Sequence, residues 1–148
     1  LNNVTPITAD MNTFAAPHTV DRIVSIEMFE HMKNYQLLFQ RVSEWLNPGG
    51  KLFVHIFSHV GQPYHFLTED GWMAQNFFTG GTMPSDDLFL YFQDHLSIEG
   101  HWRIDGRHYA RTCNEWLKLM DRNKAKVLPI ISETYPDAKA DPTKRYVM

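Results

Sequence analysis

The stretch Ile23-Val24-Ser25-Ile26-Glu27-Met28-Phe29-Glu30-His31-Met32 joins an apolar run to three ionisable side chains. The apolar part is typical of a strand that is buried on both faces. In an open α/β sheet, ligands bind in the crevice beyond the carboxyl ends of the strands. Ionisable groups at such a place are costly to desolvate unless they are paired or used. This segment is therefore the main candidate for a functional site.

The residues that follow predict a second strand beside the first. Apolar side chains recur at three- and four-residue spacing from Lys33 to Leu46, which indicates an amphipathic helix. Asn47-Pro48-Gly49-Gly50 predicts a turn, and 52–57 predicts another buried strand. A strand, a helix, a turn and a strand in this order form a βαβ unit, so the fold class is α/β with a parallel sheet.

The whole sequence predicts three parts. They are a sheet core at 1–60, a cap insertion at 61–95, and a strand with a C-terminal helix at 96–148. The aromatic- and glycine-rich segment 61–83 is too long for an ordinary connection and is typical of a lid or binding loop. We expect four further elements: a strand over 4–9, a helix over 88–92 capped by Ser85, a strand over 96–104, and a helix over 114–128 preceded by a Thr112–Glu115 capping box.

Composition limits the function classes. The chain has 148 residues, a 43% hydrophobic fraction and a net charge of −3, which suit one globular domain and give no reason to expect nucleic acid as a partner. No apolar run reaches the roughly 20 residues that span a bilayer, so we expect no integral membrane contact. The single cysteine, Cys113, excludes an internal disulfide and fits the cytoplasm. Because the chain starts at Leu1, we expect a fragment of a longer protein.

The ionisable side chains of the opening stretch allow two interpretations. Glu27, Glu30 and His31 have i, i+3 and i+4 spacing, so they share a face if the segment is helical. A carboxylate–imidazole pair can serve as the general base for an amine. The alternative is a capping and salt-bridge cluster with a neighbour such as Lys33. No metal site is predicted, because no histidine pair has ligand spacing.

Four other side chains are candidates, and each has a simpler alternative. His55 is either a catalyst or a satisfied core residue of the second strand. Asp10 can accept a hydrogen bond from a nucleotide amine, or it can be a turn residue. Tyr109 and Arg111 can bind a ligand and its carboxylate, or they can be a packed tyrosine and a surface arginine.

Four segments together carry a family resemblance: 21–32, 46–55, 77–85 (Phe77-Phe78-Thr79-Gly80-Gly81-Thr82-Met83-Pro84-Ser85) and 102–112. They resemble the S-adenosylmethionine-dependent methyltransferases of the cyclopropane-fatty-acid synthase family. The likeness is greatest to its plant-type branch of coclaurine N-methyltransferase-like proteins. The segment 78–85 is the most distinctive, whereas the Pro-Gly-Gly turn occurs in many methyltransferases.

This resemblance implies the C-terminal part of a class I methyltransferase sheet (Rossmann-like) with a helical substrate cap inserted after the strand of His55. It implies S-adenosylmethionine as cofactor and a small-molecule amine as substrate, with the oligomeric state left open. The implied catalytic residues are Glu27, Glu30 and His31. The implied cofactor-binding residues are Asp10, Met11, Ser25 and Glu27, and the implied substrate-binding residues are His55, Trp72, Phe78, Tyr109 and Arg111.

The resemblance leaves alternatives open. In the cyclopropane synthases, positions that match Glu30, His55 and Tyr109 help to hold a bicarbonate, and glycine is common at the position of Glu27. The glutamate here favours amine methylation over lipid cyclopropanation. A third possibility is a non-catalytic remnant that survives as a binding module. The glycine-rich loop and the ribose-binding acid of the family are not in this sequence, so we expect the isolated chain to be inactive.

Overall fold

A computed structural model describes residues 2–66 and 80–135 of the chain. The chain divides into two compact units, 1–100 and 101–148. The described elements of the first unit are β1 (Val20–Ile26), a 3-10 helix (Phe29–His31), α1 (Tyr35–Trp45), β2 (Leu46–His55), β3 (Tyr64–His65), β4 (Thr82–Met83) and a second 3-10 helix (Leu88–Tyr91). Those of the second unit are α2 (Arg107–Arg122) and α3 (Lys124–Thr134).

The predicted βαβ unit is confirmed. Strand β1 pairs with β2 in parallel, and Ile26 lies opposite His55 at the carboxyl ends. Strand β2 begins at Leu46, earlier than predicted, because the Asn47–Gly50 segment joins the strand through a shift in register. Gly50 is required there, since a Cβ atom would lie 2.9 Å from the Asn47 carbonyl oxygen. The two carboxyl ends therefore meet at one edge of the sheet.

Helix α1 covers one face of this sheet. The Asn34 side chain accepts a hydrogen bond of 3.0 Å from the Leu37 amide and caps the helix. The buried side chains that face the sheet and the first 3-10 helix are Phe29, Tyr35, Leu38, Phe39 and Val42. These aromatic and aliphatic groups form the described core, and they fix the segment that follows β1.

The expected burial of both sheet faces is wrong for the described residues. Ile23 and Leu52 pack towards the core, whereas Val24, Ile26 and Phe53 alternate with them and are 63%, 62% and 45% exposed. Side chains of successive strand residues point to opposite faces. Among the described residues of the first unit, α1 covers one face of the sheet, and the side chains of the other face are largely exposed.

Two predicted strands are also wrong. Residues 4–9 and 96–104 contain no strand, and most of them are exposed. A strand requires hydrogen bonds from a neighbouring strand. The described partners are β1 with β2 and β3 with β4, so neither segment has such a neighbour in the described part of the chain.

The predicted capping residues do not begin the helices. Ser85 is buried and forms an isolated bridge with His59, and a single short 3-10 helix starts at Leu88. Thr112 lies inside α2, where its hydroxyl donates to the His108 carbonyl over 3.2 Å. The helix begins at Arg107, whose amide donates to the Asp105 carboxylate over 2.9 Å, so it starts well before the predicted capping box.

The proposed division into core, cap and C-terminal segment stays a prediction. Segment 67–79 of the expected cap lies outside the described residues. In the part of the chain that is described, no helix is long and apolar enough to cross a membrane.

Candidate functional site

The site begins where β1 ends, at a residue with unusual backbone geometry. Glu27 has φ +52°, in the left-handed region that L-residues other than glycine rarely adopt. Two contacts with β2 hold it there. Its amide donates to the His55 carbonyl over 2.8 Å, and its Oε1 lies 2.9 Å from Nδ1 of His55. The strand pairing therefore brings Glu27 and His55 together at the sheet edge.

The carboxyl group of Glu30 lies beside this pair in the first 3-10 helix. Its side chain is only 1% exposed, and Oε2 has no hydrogen-bond partner among the described residues. Burial raises the pKa of Glu30 above its ordinary value, and the charge of Glu27 adds to the rise. The residue's own backbone amide, His31 and His55 act in the opposite direction. Glu30 is therefore a carboxyl group whose proton affinity is increased by its surroundings.

The shared helical face expected for Glu27, Glu30 and His31 is wrong. Glu27 precedes the helix, and the helix has only three residues, Phe29–His31. His31 is exposed, whereas Glu30 points into the core. Glu27 and His31 nevertheless lie near enough to Glu30 for their charges to affect its pKa, as does the charge of His55.

Tyr35 closes the inner side of this site. Its hydroxyl donates to the Phe29 carbonyl over 3.0 Å. Burial and the charge of Glu30 raise the pKa of Tyr35 to about 12, so the phenol keeps its proton at neutral pH. It therefore serves as a fixed donor that secures the 3-10 helix carrying Glu30.

Lys33 takes a role that the sequence did not predict. Its Nζ donates to Nδ1 of His65 over 2.9 Å and to Oγ1 of Thr82 over 3.0 Å. The Gly81 carbonyl lies 3.4 Å from the same nitrogen. In the alternative interpretation of the sequence, Lys33 would pair with the carboxylates of the opening stretch. Its described contacts instead fasten the antiparallel β3–β4 pair, which flanks segment 67–79, to the site.

A cavity of about 480 Å³ lies along β1. Two of the four predicted cofactor residues, Met11 and Ser25, line it, whereas Asp10 and Glu27 do not. Its other described walls are mostly apolar and include Phe14, Met28 and Trp45. The Ser25 Oγ atom is buried and has no hydrogen-bond partner among the described residues. The cavity therefore offers apolar walls and one unused polar group.

Asp10 lies in the turn that leads into this cavity. Its Oδ1 accepts hydrogen bonds of 2.8 Å from both the amide and the side chain of Asn12. Its carbonyl accepts from the amides of Thr13 and Phe14. The described contacts of Asp10 are thus those of a turn residue, and its predicted contact with the cofactor stays a prediction.

The remaining predicted site residues lie in the second unit or outside the described residues. Tyr109 and Arg111 lie in α2 of the second unit, and both are exposed; the Tyr109 ring packs edge-on against Trp116. Trp72 and Phe78 lie outside the described residues. Their substrate-binding roles stay predictions. Within the described ranges, no group of three or more His, Cys, Asp or Glu side chains could hold a metal ion.

Comparison with known proteins shows which family the chain is similar to. The model of the mycolic acid cyclopropane synthetase family matches residues 5–138. The (S)-coclaurine N-methyltransferase of Thalictrum flavum subsp. glaucum is 44% identical over 134 residues, which are 88% of this chain and 37% of the relative. The cyclopropane-fatty-acyl-phospholipid synthase of Escherichia coli (strain K12) is 32% identical over 98 residues, 65% of this chain and 25% of that protein.

A solved structure of a coclaurine N-methyltransferase is also similar to this chain. A coclaurine N-methyltransferase bound to N-methylheliamine and SAH superimposes with a TM-score of 0.77 and 39% identity, over 85% of this chain and 39% of that one. The chain spans less than two fifths of the length of the N-methyltransferases that it matches. The resemblance drawn from the sequence is confirmed: the chain belongs to the mycolic acid cyclopropane synthetase family, and its fold is a portion of the class I S-adenosylmethionine-dependent methyltransferase fold.

Proposed function

We propose that the protein containing this chain transfers a methyl group from S-adenosylmethionine to an amine nitrogen of a small molecule. The observation that carries the proposal is the group of Glu27, Glu30 and His55 at the carboxyl ends of two parallel strands. Ligands of open α/β sheets bind at this edge. The 44% identity to a coclaurine N-methyltransferase supports an amine as acceptor.

The cavity along β1 fits part of such a cofactor. Its apolar walls suit a flat heteroaromatic ring, and the unused hydroxyl of Ser25 can bond to a polar atom on it. Met11 and Ser25 would hold the cofactor on this side, with Asp10 at the adjoining turn. S-adenosylmethionine, when bound, supplies the electrophilic methyl group.

The chain's own residues then handle the amine and its proton. A general base works best when its pKa is near the working pH, and burial moves the pKa of Glu30 in that direction. Glu27 and His55 form a hydrogen-bonded pair, joined through Oε1 and Nδ1, that can take the proton onward. His31 lies at the exposed side of Glu30 and completes the acid–base group.

The same proposal covers the acceptor molecule and the cellular compartment. The partner is a small-molecule amine, and Trp72, Phe78, Tyr109 and Arg111 remain the proposed residues of its binding site. The sole cysteine, Cys113, is exposed and free, which fits a reducing compartment such as the cytoplasm.

A product assay tests the proposal. Residues 5–138 replace the matching segment of the Thalictrum flavum enzyme, and the chimera receives S-adenosylmethionine with a set of amines and, in parallel, with unsaturated phospholipid vesicles. Mass analysis should show a methylated amine and unchanged lipid.

Three results would contradict this proposal. Cyclopropanated lipid would identify the alternative activity of the family. A chimera that folds but modifies neither class would indicate the non-catalytic remnant. Methylation of a hydroxyl or carbon acceptor, with every amine unchanged, would show that the acceptor class is wrong.

A further inference from the structure

The guanidinium of Arg41 binds three backbone carbonyls of one loop. From helix α1, its Nη1 donates to the carbonyls of Met11 and Asn12 over 3.1 and 2.8 Å. Its Nη2 donates to the Phe14 carbonyl over 2.5 Å. Charge-assisted hydrogen bonds of this kind are among the stronger polar contacts in proteins. A single side chain of α1 thus fixes the loop 11–14.

The same side chain joins the loop to the aromatic end of α1. The guanidinium carbon lies 5.6 Å from the centre of the Trp45 ring, and the Phe14 ring packs edge-on against Trp45 at 5.4 Å. The planar guanidinium suits both contacts, because it can donate along its edge while its face covers an aromatic ring. Arg41, Trp45 and Phe14 therefore form one connected contact.

This contact shapes the cavity along β1. Met11 and Phe14 of the loop and Trp45 of α1 all line that cavity, together with residues of β1. The loop is otherwise held by its own turn, in which the amides of Thr13 and Phe14 donate to the Asp10 carbonyl. That turn sets the shape of the loop, whereas Arg41 sets its position against α1.

We propose that Arg41 is a positioning residue, which holds the loop 11–14 as a preformed wall of the cofactor cavity. The inference rests on the proposed function, because that function assigns the cavity to S-adenosylmethionine. A loop that must be ordered during binding loses conformational entropy at that step. Arg41 orders it beforehand and so strengthens binding without touching the cofactor.

Backbone exchange in the 148-residue chain tests the positioning. Arg41→Met removes the hydrogen-bond donors, whereas Arg41→Lys keeps the positive charge but not the planar set of guanidinium donors. Arg22→Met is the control, since Nη1 of Arg22 donates to the carbonyl of its own neighbour, Asp21. Amide exchange at Thr13 and Phe14 should accelerate about tenfold in Arg41→Met, less in Arg41→Lys, and not in Arg22→Met. Exchange within the β1–β2 pair reports whether the fold is kept.

Titration with S-adenosylhomocysteine tests the consequence for the cofactor. The amide signals of Met11 and Ser25 should shift in the wild-type chain with a dissociation constant on the order of 1 mM, and Arg41→Met should weaken binding about tenfold. Arg41→Lys should restore part of the affinity.

Two results overturn the inference. If exchange at Thr13 and Phe14 in Arg41→Met equals that of the wild type, Arg41 does not position the loop. If exchange accelerates but the affinity is unchanged, or if the wild-type signals do not shift at all, the loop is not a wall of the cofactor site. Both results are separate from the product assay, which tests methyl transfer itself.

Discussion

At the scale of single residues, the site combines backbone strain with an unsatisfied buried acid. Glu27 has a positive φ, and Glu30 is buried with one oxygen that has no partner among the described residues. Both features cost stability, and such costs gather at functional sites. The sequence indicated that these residues matter, but not their geometry. Helical spacing suggested a shared face, and only the strand register reveals the pairing of Glu27 with His55.

The strain at Glu27 predicts an unusual order of stabilities. A left-handed conformation costs a non-glycine residue roughly 1–2 kcal/mol, and glycine avoids this cost. Glu27→Gly should therefore be about 1 kcal/mol more stable than Glu27→Ala in urea unfolding of the 148-residue chain, although both lose the contact with His55. An alanine variant at least as stable as the glycine variant would contradict this account of Glu27.

The raised pKa of Glu30 predicts how stability depends on pH. The folded state holds the proton more tightly than the unfolded state, whose pKa is near 4.5. The free energy of unfolding of the wild-type chain should therefore fall as pH rises from about 4.5 through the folded-state pKa, and then level off. Glu30→Gln cannot lose this proton, so the stability of the variant relative to the wild type should increase across the same interval.

Urea titrations at a series of pH values measure this difference. Glu44→Gln, at an exposed position of α1, is the matched control and should show no such trend. A difference between Glu30→Gln and the wild type that stays constant with pH would mean that Glu30 titrates alike in the folded and unfolded states.

At the scale of elements, the sequence pattern predicted helices and strands correctly only where neighbouring segments of the chain pack on one another. The apolar periodicity of α1 and the adjoining glycine turn predicted the parallel βαβ unit, because helix and strands pack on one another. Segments 4–9 and 96–104 have strand-like composition but no described partner strand, and composition does not report partners. The capping-box prediction is wrong because α2 begins at Arg107, before Thr112 is reached.

The antiparallel β3–β4 pair depends on a contact that no local pattern predicts. Lys33→Met removes the donor to His65 and Thr82 while keeping the length of the side chain. Exchange of the Phe66 amide, which donates to the Gly81 carbonyl, should accelerate roughly tenfold, or about 1.4 kcal/mol of local opening, as expected for one charged hydrogen bond.

Lys51→Met is the control for this experiment, because the Lys51 ammonium contacts the exposed Glu99 on another part of the first unit. Exchange of Phe66 should not change in that variant. Equal rates in Lys33→Met and Lys51→Met would show that Lys33 does not fasten the β3–β4 pair.

At the scale of the whole molecule, the chain brings together the proposed acid–base group and one wall of the cavity proposed for the cofactor. The acid–base group lies at the carboxyl edge of the β1–β2 sheet, and the cavity runs along β1 beside it. The family, its cofactor and its fold followed from sequence segments that the comparisons confirm. The contacts of Lys33 and Arg41 did not, since long side chains reach partners that are distant in sequence.

The most direct test of the central claim is the turnover number of the chimera with a methylated amine as product. Glu30→Gln and His31→Ala should each lower kcat by roughly 10²- to 10⁴-fold, and the double variant should lose less than the product of the two effects, because the residues act as one group. Glu44→Gln should keep the parent rate. Full activity in both Glu30→Gln and His31→Ala would contradict the claim, since it would reduce the group to a structural cluster.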